Sequence, residues 1–179
     1  SFWAKVDPNT TGTYNTFIGS EAGEANTTGG NNTAVGALAL ESNTQGTNNT
    51  AVGQASLFEN VLGSKSIAVG RGTLQNQNPG SATDMYNTAV GHEAGNDVTT
   101  GINNTLIGGL AGDAITTGDS NTAVGAYAMT TLTTGDHNVA VGTSALDVTT
   151  TGSQNVAVGR DALGANTTAS DNTAVGYQA

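Results

Sequence analysis

The sequence predicts an all-β protein, a parallel β-solenoid of about ten 17-residue coils, on three observations. The first is a motif, Asn-Thr-Ala-Val-Gly or a close variant, whose closing glycines are Gly19, Gly36, Gly53, Gly70, Gly91, Gly108, Gly125, Gly142, Gly159 and Gly176. Eight of the nine intervals between them are 17 residues and the ninth, Gly70 to Gly91, is 21. A short fixed period marks a repeat architecture, in which each unit buries its apolar face only against its neighbours. The second is composition: 26 glycines, 4% aromatic and 10% charged residues in 179 positions. Globular domains carry about 25% charged residues, and a thin core of small side chains along one axis fits these values better than a compact one. The third is the recurrence of Gly and β-branched residues throughout, which disfavours any helical run.

Each column of the repeat can be given a physical role. The unit reads Asn-Thr-Ala-Val-Gly-x-x-Ala-Leu-x-x-Asn-Thr-Thr-Gly-x-x, and the repeat domain is placed at 9–179 after a cap or linker at 1–8, where Phe2 and Trp3 are expected to cap the open end or join a preceding segment. The first column holds Asn15, Asn32, Asn49, Asn87, Asn104, Asn121, Asn138, Asn155 and Asn172, with Ser66 as its exception. Stacked amides can bond to the coil above and below, as in cross-β Asn ladders; a turn residue before a strand is the alternative.

The next three columns, as in Thr33-Ala34-Val35 or Val139-Ala140-Val141, are β-branched or small. Side chains alternate across a strand, so Ala faces one side and Thr and Val the other. A strand apolar on both faces is usually buried on both: one face fills the coil, and a neighbouring chain is the natural cover for the other. After the glycine bend, an Ala-Leu pair returns to the core. Its Leu column holds Leu40, Leu57, Leu74, Met129, Leu146 and Leu163, but Gly23, Gly95 and Gly112. Gly23 and Gly112 share their repeats with the only bulky residues in the Ala column, Phe17 and Leu106. That is volume compensation within one close-packed layer; Gly95, beside Ala89, fits only if Leu106 fills its space from the next coil.

The second half of the unit carries a Thr-Thr-Gly turn, preceded by Asn26, Asn43, Asn60 and Asn166 in some coils and by Val98, Ile115 and Leu132 in others. A second short strand is expected there. The long interval contains Pro79 to Tyr86, with a four-residue insertion placed within 81–86 that should bulge without breaking the stack. Ser81, Thr83, Asp84 and Tyr86 are its candidate surface contacts, since insertions in repeat proteins map to loops.

Several function classes are disfavoured. The net charge is −10 with four basic residues, Lys5, Lys65, Arg71 and Arg160, so the basic stripe that nucleic-acid binding requires is missing. No apolar run reaches transmembrane length, and with no cysteine there are no disulfides or thiolate sites. His92 and His137 occupy different columns three repeats apart, about 14 Å along the axis at strand spacing, and no catalytic or phosphate-binding motif is present. No enzyme activity, cofactor or metal is expected.

The Thr pairs (Thr10-Thr11, Thr27-Thr28, Thr99-Thr100, Thr116-Thr117, Thr133-Thr134, Thr150-Thr151 and Thr167-Thr168) raise ice binding as an alternative, although Thr44-Gln45, Val61-Leu62 and Asn78-Pro79 interrupt the array. Sequons at Asn9, Asn26, Asn31, Asn48, Asn103 and Asn166 arise from the repeat itself. The chain opens on Ser1 and stops at Ala179 partway through a repeat, and is read as a segment of a longer polypeptide.

The phrases Asn172-Thr-Ala-Val-Gly-Tyr-Gln-Ala179, Asn32-Thr-Ala-Val-Gly-Ala-Leu-Ala-Leu40 and Asn26-Thr-Thr-Gly29 resemble the shafts of phage tail fibres and bacterial surface proteins that often end in an endosialidase-type chaperone domain. More loosely, they are similar to the head repeats of trimeric autotransporter adhesins. The resemblance runs from Asn9 to Ala179 and implies a parallel homotrimer on a virion or outside a cell. A homopolymer, stacked end to end as a filament, is the competing assembly. The implied role is that of a rod about 45–50 Å long, presenting repeated polar surfaces to host-cell glycans or receptors, with no nucleic acid and no membrane insertion in this segment.

Overall fold

A computed structural model describes residues 10–179; the expected cap at 1–8, with Phe2 and Trp3, and the sequon at Asn9 lie outside them. Among the described residues there are twelve short strands and no helix: β1 (Thr16–Ile18), β2 (Thr33–Val35), β3 (Thr50–Val52), β4 (Gly63–Ser64), β5 (Ile67–Val69), β6 (Thr83–Asp84), β7 (Thr88–Val90), β8 (Thr105–Ile107), β9 (Thr122–Val124), β10 (Val139–Val141), β11 (Val156–Val158) and β12 (Thr173–Val175). Ten of them stack into one parallel sheet in the order β1-β2-β3-β5-β7-β8-β9-β10-β11-β12. Its register is that of the repeat: Thr33 lies opposite Thr50, Ala34 opposite Ala51 and Val35 opposite Val52. The chain is a β-solenoid of about nine turns.

The Ala column points inward. Ala34, Ala51, Ala68, Ala89, Ala123, Ala140 and Ala157 are fully buried, as are Leu40, Leu57, Leu74, Met129 and Leu146 from the returning segment. One cluster of these residues runs the length of the rod. Leu106 resolves the Gly95 exception. A Cβ at Gly95 would come within 2.6 Å of one Leu106 methyl, and one at Gly112 within 2.7 Å of the other. One leucine thus fills the space above two glycines in neighbouring coils, as Phe17 does for Gly23.

Each coil closes through left-handed corners. In the coil from Gly108, the positive angles fall at Leu110 (φ 58), Gly112 (φ 59) and Ser120 (φ 58). The Leu column sits at this second corner, where Leu40 and Leu57 hold φ 51 and 50. A left-handed leucine costs roughly 1–2 kcal/mol, and burying its side chain returns about 1.5–3 kcal/mol, so burial wins. The repeat glycine is required for a different reason: Gly108 has φ 137, and a Cβ there would strike the carbonyl of Gly125 in the next coil.

Two expectations are corrected. The Thr-Thr-Gly segments are bends rather than strands, apart from β4 and β6 in the two coils around the insertion. Their hydrogen bonds still run between coils: Thr27 and Thr28 N–H both donate to the Thr44 carbonyl at 3.0 Å. The insertion also begins earlier than 81. Asn78 N–H still donates to Thr99, and β6 pairs with β4 three residues beyond the 17-residue step, so three of the extra residues lie within Pro79 to Ala82; the fourth lies at 85–86, since β7 pairs with β5 four residues beyond that step. Pro79 occupies the column of Thr28 and has no N–H to give, which is why the chain departs there. The ten-stranded sheet passes this point unbroken, β5 pairing directly with β7.

Candidate functional site

The buried asparagine column connects the coils in two directions. Each backbone N–H donates to the side-chain Oδ1 one coil earlier: Asn104 to Asn87 at 2.9 Å, Asn121 to Asn104 at 2.9 Å and Asn138 to Asn121 at 3.0 Å. From Asn15 to Asn138 each Nδ2 donates forward to the carbonyl of the turn glycine, as from Asn49 to Gly63 at 2.9 Å and Asn104 to Gly118 at 2.8 Å, while Asn155 donates to Ala169 and Asn172 to Ser170. Asn15, Asn32, Asn155 and Asn172 continue the row. These amides stitch the rod, and their burial leaves them out of reach of a ligand.

Sequence reasoning missed the residue that mends the gap at Ser66. Gln77, buried in the same coil, accepts from Ser66 Oγ at 3.1 Å and from Asn87 Nδ2 at 3.0 Å, and donates to Asn60 Oδ1 at 2.9 Å. Its signal was available: the only Gln in the second Asn column shares a coil with the only Ser in the first. A further ladder also went unread. Asp119 and Asp136 side chains accept the N–H groups of Ile102 at 2.7 Å and Asp119 at 2.8 Å, each from the preceding coil.

Outward-facing residues divide into three sets. On the sheet, Ile18, Val52, Val90, Ile107, Val141 and Val158, with the half-buried Val35, Val69 and Val124 between them, form an apolar row, Ile107 being 41% accessible; Ile67, 43% accessible, stands in the neighbouring column of Thr50 and Thr88. Beside it runs a row of strand threonines, including Thr33, Thr50, Thr88, Thr105 and Thr122, whose hydroxyls bond to nothing within the described residues. No charged residue lies on any strand of this ten-stranded sheet. The turn threonines differ: Thr27, Thr99, Thr116 and Thr133 Oγ1 each donate to a carbonyl of the next coil at 3.0–3.1 Å. In the five inner pairs only the second member, such as Thr28 or Thr117, is exposed, while both are exposed at Thr10-Thr11 and Thr167-Thr168.

The insertion is the third set. Ser81, Asp84 and Tyr86 are exposed and Thr83 is half-buried. β4 and β6 pair Gly63 with Thr83, one residue out of step with the Ser66 and Asn87 columns. That slip turns Met85 into the core, where it is fully buried. Lys65 clamps the outside, donating to Asp84 Oδ2 at 2.7 Å and Tyr86 OH at 3.0 Å, with its ammonium 5.1 Å from the Tyr86 ring centre. These bonds, that to Asp84 first, hold its pKa well above the usual lysine range.

Nothing described gathers a reaction centre. His92 is held in an exposed cluster with Arg71 and Glu93, while His137 stands in another column. Among the described residues no group of three His, Cys, Asp or Glu could hold a metal ion, and no helix is long and apolar enough to cross a membrane. A hollow of about 450 Å³ at the last coil is lined by Asp161, Leu163, Gly164, Ala165, Asn166, Gln178 and Ala179, with one titratable group among them. Of the sequons, Asn31, Asn48 and Asn103 are exposed at a corner, Asn26 is buried in a ladder, and Asn166 donates to the Ala169 carbonyl at 3.0 Å. Comparison with family models, curated proteins and solved structures found no match.

Proposed function

We propose that the chain is a structural and adhesive rod of a phage tail fibre or cell-surface appendage, non-enzymatic, extracellular, and assembled as a parallel homotrimer. The observation that carries this reading is the uncharged outer face of the sheet, with its unbroken apolar row over ten strands. Two rows across and nine strand spacings along make a strip on the order of 300–400 Å². Apolar patches of that size on a monomer often have a function. A stable interface needs about 800 Å² per partner, so the strip must recruit its flanking corners, and a ring in which each copy touches two neighbours does that. Three copies then display each polar corner three times, so weak contacts to glycans or receptors add as avidity.

The test is the mass in solution by sedimentation or light scattering. A trimer is expected, and Val124→Asp on the outer face should reduce it to monomers that keep their β-sheet circular dichroism. A wild-type chain that is strictly monomeric at micromolar concentration overturns the trimer. A second reading, ice binding, gains one observation: the free hydroxyls lie on the sheet, since those of the first turn threonines are spent on carbonyls. Thermal hysteresis by the monomeric wild type would favour it.

A further inference from the structure

The uncharged outer face of the sheet is flanked by two surface ion pairs in neighbouring coils. Lys65 precedes β5 and reaches Asp84, which precedes β7, at 2.7 Å. On the other side of the sheet Arg71 follows β5 and reaches Glu93, which follows β7, at 2.6 Å. Two copies can meet face to face about a two-fold axis along the rod or about one along the strands. An axis along the rod leaves the copies parallel and brings unlike corners together, as a parallel ring also does. Lys65 then meets Arg71 and Asp84 meets Glu93 at equal height, and each threonine column lies on a valine column. An axis along the strands, midway between β5 and β7, turns the second rod end for end and keeps each corner on its own kind. β5 then faces β7 of the second copy, so that Lys65 meets Asp84 on one corner and Arg71 meets Glu93 on the other.

We infer that the sheet face binds a second copy of the chain in this antiparallel arrangement. The columns match as the corners do. Val69 lies opposite Val90, Val52 opposite Ile107 and Thr50 opposite Thr105, while Ile67 opposite Thr88 and Val139 opposite Thr16 are the exceptions in the threonine column. Threonine hydroxyls that bond to nothing within the described residues thereby face one another, and they bond directly or through shared water. At the second corner the exposed Tyr127 comes level with Leu38. Glu21, Asp119 and Asp136 come level with Ser144, Asn31 and Tyr14, so like charges do not meet there. The register is specified from both sides. Sliding one copy by a coil sets Asp84 on Asp84 and Glu93 on Glu93; sliding it the other way sets Lys65 on Lys65 and Arg71 on Arg71. Charge complementarity of this kind fixes alignment more than it adds affinity. The overlap runs from β1 to β10. With one corner row on each side it covers about 600–700 Å² per copy, or about 1,200–1,400 Å² in all, within the range of stable pairs. The inference rests on the adhesive rod proposed above and takes the same face as its ring, so pair and ring exclude each other.

Charge reversal on one corner tests the pair. Lys65→Glu leaves two acids there and Asp84→Lys leaves two bases. Each variant alone is expected to lose affinity for itself by about tenfold or more, the low end of coupling between close interfacial charges. An equimolar mixture should regain the wild-type affinity, because two acids then meet two bases. Sedimentation equilibrium at micromolar concentration reads the mass, and unchanged β-sheet circular dichroism checks that each variant folds. In a parallel ring Lys65→Glu would meet Arg71 and tighten the assembly instead. Because the chain has no cysteine, engineered thiols report orientation, using a thiol cross-linker about 10 Å long, the distance between facing sheets. Chains with Gln54→Cys are expected to link to chains with Gly109→Cys, where an added Cβ meets open space. They should not link to chains with Asn48→Cys, which stands at equal height in a ring. A trimer by mass, or linkage of Gln54→Cys to Asn48→Cys, overturns the antiparallel pair and leaves the ring standing. A dimer whose affinity ignores both charge reversals also overturns it, and a chain that stays monomeric overturns pair and ring together.

Discussion

Asp113 is an ill-placed side chain. Its Oδ1 is buried without a hydrogen-bond partner. Burial raises its pKa above the ordinary 3.8, with Asp97 and Glu93 adding to the rise and the N–H groups of Asp113 and Ala114 partly opposing it. A folded-state pKa above the unfolded one stabilises the fold in acid. That contribution is lost as pH rises through the folded value, so the carboxylate is a burden at neutral pH. Asp113→Asn should therefore raise the melting temperature at pH 7, by about 2 °C or less given its partial exposure. The gain should vanish near pH 3, and thermal melts at the two pH values check this. An equal gain at both would place the effect in packing rather than charge.

Between coils, the unit of stability is a layer shared by neighbours, and Leu106 is its clearest case. Removing it in Leu106→Ala empties space above both Gly95 and Gly112, a cavity expected to cost about 3–5 kcal/mol in chemical denaturation. Adding Gly112→Leu should recover part of that loss, since leucine already occupies the same corner at Leu40 and Leu57. Recovery without the first substitution would contradict the shared layer. This pairing was legible in the sequence, because two columns traded volume residue by residue. So were the strands, their register and the inward Ala face, all consequences of a fixed 17-residue step. The bends were not. Thr-Thr looks like strand sequence, but its backbone donors converge on single carbonyls of the next coil. That tertiary arrangement leaves no mark on propensity. The left-handed leucines were hidden for the same reason: only burial makes their backbone angles tolerable. Met85 turned inward because of a slip in pairing, which column alignment across an insertion cannot show.

At the scale of the whole molecule, almost every bond that matters runs from one coil to the next. The sheet register, the asparagine ladder and the turn hydroxyls all link residues 17 apart or close to it. Within a coil there is little to hold, as no strand of the ten-stranded sheet exceeds three residues. Neighbour-only coupling of this kind makes stability a sum over coils and interfaces. The same feature gives the rod a mechanical character. Pulled from its two ends, it carries load through one coil-to-coil seam after another rather than through all seams at once. A coil that yields releases 17 residues, roughly 55–60 Å of chain, in place of about 5 Å of rod. Single-molecule extension of one chain should show a staircase of near-equal steps of that size, with one longer step where the 21-residue interval opens. In the fibre role proposed above, such a rod would lengthen about tenfold before it parts and would hold a swimming cell or a drifting particle as a brake does, by paying out line under tension.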